Sequence, residues 1–103
     1  MRIISERQLR DFWELADGAE KIRRRKVLSE WITVVRRADW SSFSDVRRTF
    51  NHSDIFGNCI IFDVGGNKYR IIAKGDFGIK AVFIRAVLTH AEYDRNDWRP
   101  DCK

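Results

Sequence analysis

The chain has 103 residues and a mass of 12.2 kDa, which predicts one domain over residues 1–103 and excludes two separately buried cores. Its residues are 44% hydrophobic and 13% aromatic, enough for a packed core and too many for a disordered chain. Twenty Lys and Arg against fifteen Asp and Glu leave a net charge of +5, which favours anionic partners, with nucleic acid first.

The first 18 residues predict a short strand followed by a helix. The run Ile3-Ile4 is apolar, and Ser5 with Gln8 fits the capping-box pattern that starts a helix. Apolar residues then recur at helical spacing, at Leu9, Phe12, Trp13 and Ala16. We expect Asp17-Gly18 to end this helix.

Residues 20–50 predict a long helix and a shorter helical turn. The long helix runs from about Glu20 to Ala38, and its buried stripe consists of Leu28, Trp31, Ile32 and Val35. The run Arg23–Lys26 wraps around this helix, so only part of it can face one ligand. It either binds RNA or an acidic partner, or serves solubility alone. The apolar spacing continues from Trp40 to Phe50 and indicates a helical turn packed on the core.

The second half of the chain predicts an antiparallel meander. Cys59–Val64 and Lys68–Lys74 are rich in β-branched and aromatic residues and flank the turn sequence Gly65-Gly66-Asn67. A second turn, Gly75–Gly78, leads to a third strand, Ala81–Leu88. The order of elements predicts an α+β fold, with helices packed on one face of the sheet.

Features of membrane, secreted and metal-binding proteins are not recognisable in the sequence. No apolar run approaches the roughly 20 residues of a spanning helix, and no signal-peptide segment is present, so we expect a cytoplasmic protein without a membrane partner. Cys59 and Cys102 are the only cysteines. Their spacing predicts a buried small residue and an exposed tail thiol, with no disulfide, metal or cofactor.

Basic side chains cluster on the predicted strands. Alternation places Lys68, Arg70 and Lys74 on one face of their strand, and a hairpin closed over residues 76–79 would set Arg70 opposite or within a residue of Arg85. These residues are either simply solvated on an uncovered sheet face or bind phosphate. Arg85 favours the second interpretation, because a lone charge in an apolar strand needs a partner or a ligand.

Polar residues able to exchange protons follow the last strand. His90, Glu92 and Tyr93 lie within the stretch Thr89–Asp94, and their side chains can transfer protons or hold a phosphate. The pattern alone is not specific for catalysis.

Three ordered stretches resemble the HigB-type toxins of bacterial type II toxin-antitoxin systems. They are ADWSSF at 38–43, GGNKYR at 65–70 and THAEYDR at 89–95, and the opening MRIIS is similar too. The resemblance covers nearly the whole chain and leaves only the tail from about Trp98 unaccounted for. It implies a RelE-like microbial-ribonuclease fold, in which two N-terminal helices flank an antiparallel sheet whose open face binds RNA.

The resemblance also implies an activity, partners and site residues. The activity is cleavage of mRNA at the ribosomal A site, and the implied partners are mRNA, the ribosome and a cognate helix-turn-helix antitoxin. The family pattern differs at Asp63 and Cys59, which are not carried over. It carries over onto Lys68, Tyr69, Arg70, Arg85, His90, Glu92 and Tyr93.

A metal-independent mechanism is the working hypothesis, because the RNA 2′-hydroxyl can attack the adjacent phosphate when a base, an acid and positive charge are present. Arg70 and Arg85 would hold the phosphate through their planar donors, and His90 and Tyr93 would transfer and position protons. RNA-backbone contacts fall to Lys68, Lys74 and Glu92, with Arg70 shared between both groups. The rival hypotheses are a non-catalytic RNA-binding translational repressor and a protein-interaction module.

Overall fold

The computed structural model describes residues 1–103 and has an α+β architecture. In chain order the elements are β1 (Arg2–Ile4), α1 (Glu6–Glu14), α2 (Gly18–Arg37), α3 (Phe43–Thr49), β2 (Asp54–Phe56), β3 (Cys59–Val64), β4 (Tyr69–Asp76), β5 (Ala81–Thr89) and α4 (His90–Asp94), followed by a 3-10 turn at Arg99–Cys102. The predicted helices and long strands are therefore present. None of the helices combines the length and the apolar character needed to cross a membrane.

The five strands form one mixed sheet with the order β1-β5-β4-β3-β2. Strands β2 to β5 pair antiparallel, as the meander predicted. The expectation of a wholly antiparallel sheet is wrong, because β1 pairs parallel with β5, with Ile3 beside Val82. Parallel neighbours need a long crossover connection, and α1 to α3 lie within the chain between these two strands.

The main core lies between the helices and one face of the sheet, here called the core face. Phe62 on β3 is fully buried there, and its ring centroid lies 5.1 Å from that of Trp31, 6.1 Å from that of Trp40 and 5.5 Å from that of Phe50. These distances fit favourable aromatic pairs. The aromatic cluster fixes α2 and α3 against the sheet.

The start of α1 differs from the predicted capping box. The Ser5 side chain makes no cap hydrogen bond, and the Gln8 side chain donates through Nε2 to the carbonyl oxygen of Ile84, at 3.0 Å. The capping-box prediction is therefore wrong at this helix. A backbone acceptor on β5 holds the Gln8 amide, which ties α1 to the sheet.

The opposite face, here called the outer face, is partly covered by the C-terminal tail (residues 95–103). A second apolar cluster on this face consists of Cys59, Ile61, Ile72, Trp98 and Cys102. Cys59 and Cys102 form a disulfide with a Cα–Cα distance of 5.3 Å, so the predictions of no disulfide and an exposed tail thiol are wrong. The tail folds back across β3, which brings together two cysteines that are 43 positions apart.

Candidate functional site on the outer face of the sheet

Arg70 and Tyr93 form the centre of the candidate site. Arg70 lies on β4, and its guanidinium carbon sits 4.9 Å from the centroid of the Tyr93 ring, which α4 supplies. This distance fits a cation–π contact. The side chains of two separate elements therefore meet on the outer face.

The Arg70 side chain is only 9% exposed, and it is paired with the Asp63 carboxylate of β3 and with oxygens of the following turn. Its Nη1 donates to Asp63 Oδ1 and to the Asn67 carbonyl, each at 3.2 Å, and Nη2 donates to Asn67 Oδ1. A buried charge without such partners would be costly. These hydrogen bonds fix the Arg70 guanidinium, so it can hold the Tyr93 ring in position.

Arg85 lies farther from Arg70 than the sequence predicted. The β4–β5 loop comprises residues 77–80 instead of the expected 76–79, which shifts the pairing by two residues, and a bulge opposite Ile72 and Ala73 adds one more, so Arg70 pairs with Leu88. Three positions along a strand correspond to about 10 Å. The predicted direct pairing of the two arginines is therefore wrong. Arg85 is the unpaired residue of this bulge, and bulges commonly redirect a side chain.

The Arg85 guanidinium is paired with the Asp101 carboxylate of the tail. Arg85 Nε and Nη2 donate to Asp101 Oδ2 and Oδ1, both at 2.7 Å, which is the bidentate geometry that arginine also adopts with phosphate. The hydrogen bond from Arg85 lowers the pKa of Asp101, and the nearby charge of Lys74 adds to the effect. The reciprocal hydrogen bond raises the pKa of Arg85. Lys74 lies half-buried on β4 near this ion pair.

Lys68 and His90 line a cleft of about 310 Å³ at the end of the sheet beside α2. Lys68 precedes β4, which begins at Tyr69, so it borders this cleft instead of following Arg70 and Lys74 along the strand. His90 Nδ1 lies 3.3 Å from Asp94 Oδ2. The cleft is also lined by Glu20, Arg23, Asn67, Tyr69, Thr89 and Ala91.

The Tyr69 side chain has a structural role. Burial, and then its hydrogen bond to Glu20, raise the pKa of the Tyr69 hydroxyl, which donates to Glu20 Oε2 at 2.9 Å. Burial alone would raise the pKa of Glu20, but hydrogen bonds from Arg24 and Tyr69 outweigh it and lower the value. This pair anchors α2 to β4 below the cleft.

Glu92 closes a capping box at the start of α4. Its Oε1 accepts from the Thr89 backbone N–H at 2.8 Å, and Thr89 Oγ1 accepts from the Glu92 N–H at 3.2 Å. Glu92 therefore orients the short helix that carries His90 and Tyr93. The structure contains no convergent group of three or more His, Cys, Asp or Glu side chains suited to a metal ion.

Comparison with known proteins places the chain in a family. The family model for HigB_toxin, described as the RelE-like toxic component of a toxin-antitoxin system, matches residues 24–96. The chain belongs to the HigB toxin family. The match includes every candidate residue of the HigB-like site from Lys68 to Tyr93 and ends before Trp98, Asp101 and Cys102.

Curated HigB relatives match only part of this chain. An mRNA interferase HigB of Escherichia coli O6:H1 is 35% identical over 65 residues, which cover 60% of this chain and 63% of that protein. The mRNA interferase toxin HigB of Escherichia coli K12 and the mRNA interferase HigB of Shigella flexneri are each 47% identical over 34 residues, 33% of either chain. The matched stretches thus span less than two thirds of these relatives.

Several residues that shape the candidate site were not predicted from the sequence. Asn67 and Asp63 hold Arg70, and Asp101 holds Arg85. The tail combines a large aromatic residue, Trp98, with a cysteine, and both are buried. That composition was the available signal that the last residues pack onto the domain.

Proposed function

We propose that the chain is the toxin of a type II toxin-antitoxin pair and that it cleaves mRNA during translation as an endoribonuclease. The observation that carries this proposal is the outer-face group of Arg70, Arg85 and Tyr93, which lies within the HigB-family match. The names of the relatives, mRNA interferases, support an RNA substrate. Residues 1–103 would act as one toxin domain in the cytoplasm.

Positive charge at the scissile phosphate is assigned to Arg85. Its bidentate hydrogen bonding to Asp101 supports this role, because Nε and Nη2 already present two parallel donors to a planar oxyanion. These donors would stabilise the charge that builds on the phosphorane when the 2′-hydroxyl attacks. Arg70 would hold the Tyr93 ring in place beneath the RNA.

Proton transfer is assigned to His90 and Tyr93, three residues apart on α4. The Asp94 carboxylate beside Nδ1 of His90 favours the tautomer that carries a proton there, which leaves Nε2 free to accept one. We assign His90 to deprotonating the 2′-hydroxyl and Tyr93 to positioning the leaving oxygen. This division of roles needs no metal ion.

Binding of the RNA backbone is assigned to basic residues around the two catalytic groups. Lys74 lies on β4 near the Asp101 carboxylate, and Lys68 borders the His90 cleft together with Arg23. Phosphate contacts of this kind add affinity that falls with salt. Glu92 would contribute indirectly, by fixing α4 next to the RNA.

The proposed setting is the ribosomal A site, and the proposed partner is a helix-turn-helix antitoxin. The net charge of +5 supports both interactions, because rRNA and an acidic protein segment are each attracted to it. The antitoxin would neutralise the toxin by covering the outer face or by blocking its access to the A site.

Induction of the gene in bacteria tests the proposal. We expect growth arrest, relief when the neighbouring reading frame is co-expressed, and new ends within translated mRNA by primer extension. Growth arrest with intact mRNA would contradict the nuclease proposal and favour a translational repressor. Normal growth with intact mRNA, from a soluble folded product, would contradict the toxin proposal.

A further inference from the structure

The C-terminal tail is anchored to the outer face at three points. Cys102 is joined to Cys59 of β3, and Asp101 is bound to Arg85 of β5. The Trp98 ring stacks on Tyr93 with a centroid distance of 5.1 Å and an interplanar angle of 11°, and Trp98 Nε1 donates to the Tyr93 carbonyl at 2.9 Å. Each anchor joins the tail to a different element.

Two of these anchors occupy groups that the RNA would need. Asp101 uses the two Arg85 donors assigned to the phosphate, and Trp98 covers one side of the Tyr93 ring. A carboxylate in bidentate contact presents oxygens much as a phosphate does. The tail therefore covers part of the outer-face site.

We propose that the tail is an autoinhibitory strap, locked over the outer-face site by the Cys59–Cys102 disulfide and released by reduction. This inference rests on the proposed function, because it concerns access of RNA to the same site. The family match ends at residue 96, so it includes Arg85 and Tyr93 and leaves out Trp98, Asp101 and Cys102.

The disulfide holds the Arg85–Asp101 ion pair in place, because this ion pair is weak alone. The Arg85 and Asp101 side chains are 44% and 42% exposed, and exposed ion pairs contribute little against water and salt. A covalent bond beside Asp101 instead keeps its carboxylate at a high effective concentration near Arg85. Once the disulfide is open, RNA phosphate can displace the Asp101 carboxylate from Arg85.

The tail backbone at Cys102 packs closely against the turn before β3. The Asn58 N–H donates to the Cys102 carbonyl at 2.8 Å, and a Cβ placed on Gly57 would lie 1.9 Å from that oxygen. Gly57 has a φ of +58°, which glycine adopts without strain. The turn before β3 thus accepts the tail backbone at a distance that other residues would prevent.

Reduction by a dithiol reductant supplies the release. Cys59 and Cys102 are buried, so the reductant reaches the bond when the tail opens locally. One of its thiolates then attacks the Cys102 sulfur, which forms a mixed disulfide and leaves Cys59 as a thiolate that takes a proton. The second thiol of the reductant then displaces Cys102 as a thiol, and the reductant leaves as its own disulfide. Reducing cytoplasm keeps such bonds open, so the strap would close only under oxidising conditions.

RNA binding by the full chain tests the strap separately from catalysis. The probe is a fluorescein-labelled RNA oligonucleotide with 2′-O-methyl groups, which cannot be cut by its own 2′-hydroxyl, and the readout is anisotropy. We expect the oxidised protein to bind at least about fivefold more weakly than the dithiothreitol-reduced protein. Cys102→Ala should bind like the reduced form without reductant.

Two tail variants separate the ion pair from a general change of charge. Asp101→Asn should recover part of the affinity in the oxidised protein, while Asp97→Asn should not, because Asp97 pairs with Arg95 within the tail. Equal affinity of the oxidised, reduced and Asp101→Asn proteins would overturn the strap. Tighter binding on reduction, with no cleavage by any form of an mRNA that ribosomes are translating, would retain the strap and contradict the nuclease. Circular dichroism checks that each variant is folded.

Discussion

Opening the Cys59–Cys102 disulfide should lower the free energy of unfolding by a defined amount. The bond joins residues 43 positions apart, and closing a loop of this length removes chain entropy from the unfolded state. The loop-entropy relation gives about 3 kcal/mol for 15 residues and about 4.7 kcal/mol for 100, and hence about 4 kcal/mol here. Domains of this size are commonly stable by about 5–15 kcal/mol, so the reduced protein should remain folded.

Reduction should loosen the tail more than the main core. The disulfide belongs to the small outer-face cluster with Ile61, Ile72 and Trp98, whereas Phe62 and its aromatic neighbours lie on the core face. Reduction should therefore increase hydrogen exchange in the tail before it affects β3 and β4.

Urea denaturation followed by tryptophan fluorescence measures this difference. The oxidised and reduced proteins should show midpoints that differ by about 4 kcal/mol divided by the m-value. The Cys59→Ala/Cys102→Ala double variant is the control, since reductant should not change its midpoint. Identical midpoints of the oxidised and reduced protein, with two free thiols titrated after reduction, would refute the loop-entropy argument.

Four further predictions concern the site. Arg85→Ala should slow mRNA cleavage about a hundredfold with unchanged circular dichroism, whereas Arg7→Ala, which removes another exposed paired arginine, should not. His90→Ala and Tyr93→Phe should each slow cleavage, and the double variant should cost less than their product if both serve one proton-transfer step. Lys74→Ala should weaken RNA binding and flatten its salt dependence with little change in the cutting step at saturating RNA. Because the pKa of Asp101 is lowered in the folded state from its ordinary value of 3.8, its ion pair is present above pH 3.8 and is lost as pH falls through the lowered pKa, so pepsin should cut the tail of the reduced protein more slowly than the tail of Asp101→Asn near pH 4, and this difference should shrink near pH 2.

Local patterns were sufficient for most elements of this fold. The apolar spacing from Leu28 to Val35 corresponds to the buried side of α2, and the turn sequence at 65–67 joins β3 to β4 as expected. Such signals are carried by neighbouring residues and their periodicity. They identified helices, strands and the alternation of β4, with Arg70 opposite the core.

Features that depend on distant residues could not be predicted in the same way. The loop register and the bulge that together move Arg85 away from Arg70 leave no composition signal. The same capping-box pattern failed at Ser5, where β5 offers Gln8 an acceptor, and operates at Thr89. The disulfide required knowledge that the tail returns to β3.

The chemical nature of the RNA ends tests the central claim most directly. Reduced protein should be incubated with ribosomes translating a defined mRNA, and the fragments should be analysed by mass spectrometry. Attack by the 2′-hydroxyl predicts upstream fragments ending in a 2′,3′-cyclic phosphate, downstream fragments starting with a 5′-hydroxyl, and no cut where the scissile nucleotide is 2′-deoxy. Intact mRNA, or fragments produced equally at a 2′-deoxy nucleotide, would contradict the account.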